Sequence, residues 1–139
     1  MLPDRAAAQI LLAEAEAVNP GAWVAHSVGV ARAAELIAQK HLALDPERAY
    51  VLGLLHDIGR RGGPNRDRHI LDGYEYLTGL GYADAARIAL THSFVIPELS
   101  TLQGDWDGTL EEHARLVCPS GNAPLCRLAH RRRPAAATL

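Results

Sequence analysis

The sequence predicts an all-α protein, a helical bundle of about six helices with the length of one domain. Three observations carry this. Apolar residues recur at intervals of three and four over most of the first 94 positions, no alternation of period two is long enough for a strand, and helix-capping signals punctuate the chain.

The first helix runs from about residue 4 to 17, with Ile10, Leu11, Ala13, Ala17 and Val18 as its expected apolar face and Asn19-Pro20-Gly21 as its stop. A second spans about 22 to 40, where His26, Val30, Ala33, Ala34 and Ile37 form a stripe expected to face the core. Asp45-Pro46-Glu47 starts a third, because aspartate accepts an orphan amide at the N-cap and proline at N1 has no amide to satisfy. It is expected to reach about Ile58, with Gly59 as a left-handed stop and "RRGGPNRDR" as a loop. "HILDGYEYLTGL" and "ADAARIALTHSF" form a fourth and a fifth helix, separated at Gly81, and His92 shares a face with Ala85 and Ile88. Pro97 opens an irregular segment, and the Thr109 to Glu112 capping box starts a short sixth helix to about residue 117.

Residues 1–117 therefore read as one helical domain and 118–139 as a divergent, basic, loosely packed or disordered tail. That tail contains Pro119, Pro124 and Pro134 and only a small apolar cluster at Leu125, Leu128 and Ala129. Of the 14 basic residues five are arginines after His113, where no acid occurs, so the preceding chain is acidic. A net charge of -2 and a triplet of only three arginines, 131 to 133, argue against a nucleic-acid partner. Two cysteines, Cys118 and Cys126, lack CxxC spacing and indicate neither a disulfide framework nor a cysteine zinc site. With 48% apolar and 22% charged residues, no signal-like N-terminus and no apolar run long enough for a bilayer, the expectation is a soluble cytoplasmic protein without a membrane partner.

A chain of 139 residues buries a core without a structural metal, so clustered metal ligands point to function. Four of the seven histidines, His26, His56, His69 and His92, fall on inward helix faces or helix edges. Imidazole with carboxylate suits a divalent transition ion, whether iron, manganese, nickel, cobalt or zinc. His56 and Asp57 point about 100° apart on a helix, so an ion beside them needs ligands from neighbouring helices as well. His41, His113 and His130 have no such context. Trp23, Tyr74 and Tyr76 fit helix packing, and Trp106 is a candidate pocket wall.

The string His56-Asp57-Ile58-Gly59 resembles, letter for letter, the HDIG form of the motif that names the HD superfamily of metal-dependent phosphohydrolases. "AHSVGVA" with His26 is similar to the family's upstream histidine segment, "RHILDGYEYL" with His69 and Gly73 to its downstream segment, and "ALTHSF" with His92 to the later histidine. The four ordered matches cover residues 22 to about 94. The resemblance implies an all-helical fold and hydrolysis of a small phosphate ester, most often a nucleotide. It implies one ion held by His26, His56 and Asp57 and, in two-ion members, a second held by His69 and His92 with Asp57 bridging. Asp57 is then the catalytic carboxylate. Arg60 stands where the family often has lysine and is the leading phosphate contact; Arg61, Arg66 and Arg68 are further cations nearby.

One departure from the family pattern stands out. Members carry a last aspartate ligand near the C-terminus, and no acid follows Glu112 here, where "NAPLCRLAHRRR" stands in its place. Asp105 or Asp107 is a candidate substitute. Alternatively the tail has diverged, for instance by a change of reading frame, or a second copy of the chain in a homo-oligomer supplies the carboxylate. Loss of that ligand would leave an HD-fold protein that binds metal or nucleotide with impaired catalysis.

Overall fold

The structure is a computed structural model, and it describes residues 1–64 and 68–93. Five α-helices follow in order: α1 (Arg5–Val18), α2 (Ala22–Gln39), α3 (Pro46–Leu55), α4 (His69–Gly79) and α5 (Ala83–Thr91), with a 3₁₀ helix at Ile58–Gly62 between α3 and α4. No strand occurs among the described residues. The expected sixth helix, the tail, Asp105, Trp106 and Asp107 lie outside them, as does Arg66.

α3 is the centre of the bundle. It packs against α2, α1 and α5, while the 3₁₀ helix packs against α4 and α1. Its core residues Tyr50, Val51, Leu54 and Leu55 meet Ile58, Leu77 and the alanines Ala8, Ala15, Ala31, Ala85, Ala86 and Ala89. Many of the helix contacts are made by alanine or glycine, which lets backbones approach closely. A Cβ on Gly53 of α3 would lie 2.9 Å from the Ala31 Cα and 3.1 Å from the Val30 carbonyl oxygen of α2.

The local signals for helix starts hold in space. The Asp4 side chain accepts from the Ala7 amide at 2.8 Å and caps α1; Asp45 accepts from the Glu47 amide at 2.9 Å, with Pro46 in the first turn of α3. Arg5 joins three helices: both arms of its guanidinium bond Glu47 at 2.8 Å, it pairs with Glu35 of α2, and it lies 3.7 Å over the Tyr50 ring.

Three local expectations need correction. The buried face of α1 is Ala8, Leu12 and Ala15, leaving Ile10 and Val18 exposed, because contact with α3 and the 3₁₀ helix selects the small side chains. The buried stripe of α2 is Ser27, Ala31 and Ala38, one position round from the expected one, and Ile37 is 66% exposed. The cause is the same, since only a small residue fits opposite Gly53. Finally, α3 ends at Leu55, and the 3₁₀ helix takes up the first part of the expected loop, through Arg60 and Arg61. Gly59 is not the left-handed stop; among the described residues the positive-φ glycines are Gly63 and Gly81.

Candidate metal centre

His56 and Asp57 fall at the break between α3 and the 3₁₀ helix. His56 keeps helical dihedrals as the C-cap of α3, while Asp57 turns to φ -102°, ψ 12°. That change of backbone direction re-aims the second side chain. The motif is therefore a helix end with two diverging side chains rather than two adjacent residues of one regular helix.

Glycine brings the next ligand close. A Cβ on Gly59 would lie 1.9 Å from the His69 carbonyl oxygen and 2.4 Å from the Gly73 amide nitrogen. Only glycine allows the 3₁₀ helix to press against the first turn of α4 in this way, and the contact sets His69 beside Asp57. His92, the C-cap of α5, is brought to His69 by the packing of α5 against α4. His26 stands on α2, exposed as a residue, with its ring directed at His56.

The four imidazoles form a row, His26, His56, His92, His69, with successive ring centroids 5.2, 4.8 and 5.2 Å apart. Asp57 stands against three of them. Its Oδ1 lies 2.9 Å from His69 Nε2 and 3.1 Å from His92 Nε2; its Oδ2 lies 3.7 Å from His56 Nε2 and accepts from Arg60 Nε at 2.8 Å. The paired imidazole nitrogens are equally close, 3.3 Å between His26 and His56 and 3.2 Å between His69 and His92.

These separations test whether an ion fits. Two ligands about 2.1 Å from a common ion stand about 3.0 Å apart at a right angle and about 3.4 Å apart at the tetrahedral angle. The Nε2 pairs and the Oδ1 contacts fall on or near that interval. His56 Nδ1 donates to the Gly53 carbonyl at 2.6 Å and His92 Nδ1 to the Ala89 carbonyl at 2.9 Å, which leaves Nε2, the nitrogen that faces the cluster, as the one each ring would offer to an ion in place of its hydrogen bond. Two sets of three, His26, His56, Asp57 and Asp57, His69, His92, each bring their ligand atoms within 4.8 Å of one another. The donor set is two nitrogens and one oxygen each time, the hard-to-borderline chemistry of a divalent transition ion.

Electrostatics agree with this assignment. Burial alone would push the Asp57 carboxyl up, but hydrogen bonds from His69, His92 and Arg60 outweigh it and hold the carboxyl well below the usual range. Burial pushes His56 down, only partly offset by its bond to Gly53 and the charge of Asp57, which favours the neutral ring that a metal needs. His56, Asp57 and His69 are 7%, 3% and 1% exposed, an unusual concentration of polar groups in a core this small.

Of the expected phosphate contacts, Arg60 sits on Asp57 with its side chain about one third exposed. Arg61 lies 4.3 Å over the Tyr76 ring, and its Nε is buried without a hydrogen-bond partner. Arg68 pairs with Asp72. Sequence reading missed the supports: the carbonyls of Gly53 and Ala89, each three residues before a ligand, and Asn19, whose Nδ2 donates to the Arg60 carbonyl at 2.6 Å. The i−3 spacing at a helix end was the available signal for the first two; nothing in the sequence pairs Asn19 with Arg60.

No helix among the described residues is long and apolar enough to cross a membrane. No curated protein and no solved structure matches the chain. The family model of the HD domain matches residues 23–122, a span that contains all four histidines and Asp57, and the chain therefore belongs to the HD-domain family.

Proposed function

We propose that this protein is a metal-dependent phosphohydrolase that cleaves a small phosphate ester, a nucleotide in the first instance, in the cytoplasm. HD domains are in general metal-dependent hydrolases, and the His/Asp groups here can hold an ion. The observation that carries the finer reading is that Asp57 Oδ1 faces His69 and His92 while Oδ2 faces His56, whose Nε2 in turn lies 3.3 Å from that of His26. In this reading one ion would be held by His26, His56 and Asp57 and a second by Asp57, His69 and His92.

A bound divalent ion supplies hydroxide from water near neutral pH and neutralises charge on the phosphoryl oxygens. The residues of the chain do the rest. Gly53 and Ala89 fix the His56 and His92 rings, and Arg60, pinned through its backbone by Asn19 and Asp57, offers a rigid fork of donors to phosphate. Arg61 adds positive charge one residue away.

Purified protein assayed with manganese, iron, nickel, cobalt and zinc against a nucleotide panel and a chromogenic phosphate ester is expected to turn over only with metal. Asp57→Ala should lower the rate by more than about a hundredfold, beyond the usual loss from an outer residue. Equal rates with and without metal, or an unaffected Asp57→Ala, would contradict the assignment. A second reading, an impaired binding protein, is favoured by the absence of any acid after Glu112. Metal uptake with nucleotide-induced thermal shifts and no turnover would support it.

A further inference from the structure

We infer that Arg60 makes the two ion positions unequal and couples the second to phosphate: the Asp57 Oδ1, His69, His92 side fills first, and the Oδ2, His26, His56 side fills when phosphate draws Arg60 away. The inference rests on the metal reading above and goes beyond it. Three features of the cluster support it.

First, the carboxylate is divided. Oδ1 receives only imidazole nitrogens, at 2.9 and 3.1 Å, whereas Oδ2 holds a guanidinium nitrogen at 2.8 Å. An imidazole nitrogen can itself ligate an ion; a guanidinium is a fixed cation with no acceptor to offer. A cation arriving at Oδ2 therefore meets a permanent positive charge within a few ångströms, and beside a carboxylate that is itself buried that repulsion is only partly screened.

Second, the ligands differ in preparation. His69 is 1% exposed and already within bonding distance of both Oδ1 and His92, while His26 is exposed and His56 stands 3.7 Å from Oδ2. Less reordering is needed on the first side.

Third, Arg60 is built to exchange partners. Its backbone is held at both ends, the amide donating to the Asp57 carbonyl at 2.9 Å and the carbonyl accepting from Asn19 at 2.6 Å. Its side chain is one third exposed and bonds Asp57 through Nε. A phosphate at the rim offers two or more oxygens to a fork that Asp57 occupies through one nitrogen. Linkage makes the coupling reciprocal: if phosphate frees Oδ2 for the second ion, the second ion releases Arg60 to phosphate.

The test counts manganese bound per chain by equilibrium dialysis, with and without inorganic phosphate, in wild type, His26→Ala, His92→Ala, Arg60→Ala and Arg60→Gln. Circular dichroism of the metal-free variants establishes that each is folded, and Arg60→Gln keeps a donor while removing the charge. Wild type is expected to hold one ion tightly, retained in His26→Ala and lost in His92→Ala. The second ion should bind at least about tenfold more weakly and tighten with phosphate. In both Arg60 variants it should bind about tenfold more tightly than in wild type without phosphate, and phosphate should add less. Loss of the tight ion in His26→Ala but not His92→Ala overturns the order of filling, and an unchanged or weaker second ion in the Arg60 variants overturns the coupling. If wild type binds no manganese, the metal reading itself fails, and the inference with it.

Discussion

Asp57 shows how a single side chain can organise a site. Its carboxylate accepts three hydrogen bonds in a place where burial opposes its charge, and it does so because donors arrive from α4, α5 and the 3₁₀ helix. The sign of its effect on stability follows from linkage. Its carboxyl is held below the ordinary range, so the unfolded chain binds a proton more readily and stability is lost as pH falls below about 4. His56 is also held down, so the folded state favours its neutral ring, and stability is complete above about pH 6.5 and declines as pH falls through it. Thermal melts of the metal-free protein should show Tm falling from neutral pH toward pH 5, with a smaller fall in His56→Gln. A Tm that rises over that interval would contradict the assignment. At this scale the sequence was informative: His26, His56, Asp57, His69 and His92 were all legible from ordered motifs, and the structure brings them together. The bond between Arg60 and Asp57 was not legible, because an i, i+3 pairing across a helix break depends on the dihedrals of Asp57.

Among the elements, boundaries were easier to read than faces. Asp4, Asp45 and Pro46 mark helix starts through hydrogen bonds to their own neighbours, which is local chemistry. Which side of α1 or α2 is buried depends instead on what packs there, and alanine-rich helices offer apolar residues on every side. Close approach then decides, and it favours Ala8 and Ala15 over Ile10, and Ala31 over Val30. The same reasoning separates the glycines. Gly59→Ala would place its Cβ against backbone of α4, so it should destabilise by more than about 3 kcal/mol or displace His69 from the site. Gly53→Ala meets contacts of 2.9 to 3.1 Å on α2 and should cost about 1–3 kcal/mol. Urea denaturation orders the two, and a Gly59→Ala protein as stable as wild type would show that the 3₁₀ helix and α4 are not in contact.

For the whole molecule, the helices converge on one polar cluster inside a small apolar core. α3 supplies the break at which the motif sits, α2 brings His26 to its edge, and α4 with α5 closes the opposite side through His69 and His92. Four imidazoles and a carboxylate are a poor way to stabilise five short helices, since His56, Asp57 and His69 must be desolvated, and a cation held between them would give the arrangement a reason. An ion that binds only the folded state also stabilises it by mass action, so loading should raise Tm in proportion to its affinity. The most direct measurement is the manganese retained per chain by wild type and Asp57→Ala after free ion is removed. Wild type should retain between one and two ions, and Asp57→Ala, still helical by circular dichroism, less than about a tenth of that, since every set of ligands shares this carboxylate. Equal retention by the two proteins, or none by wild type, would contradict the assignment of the cluster as a metal centre.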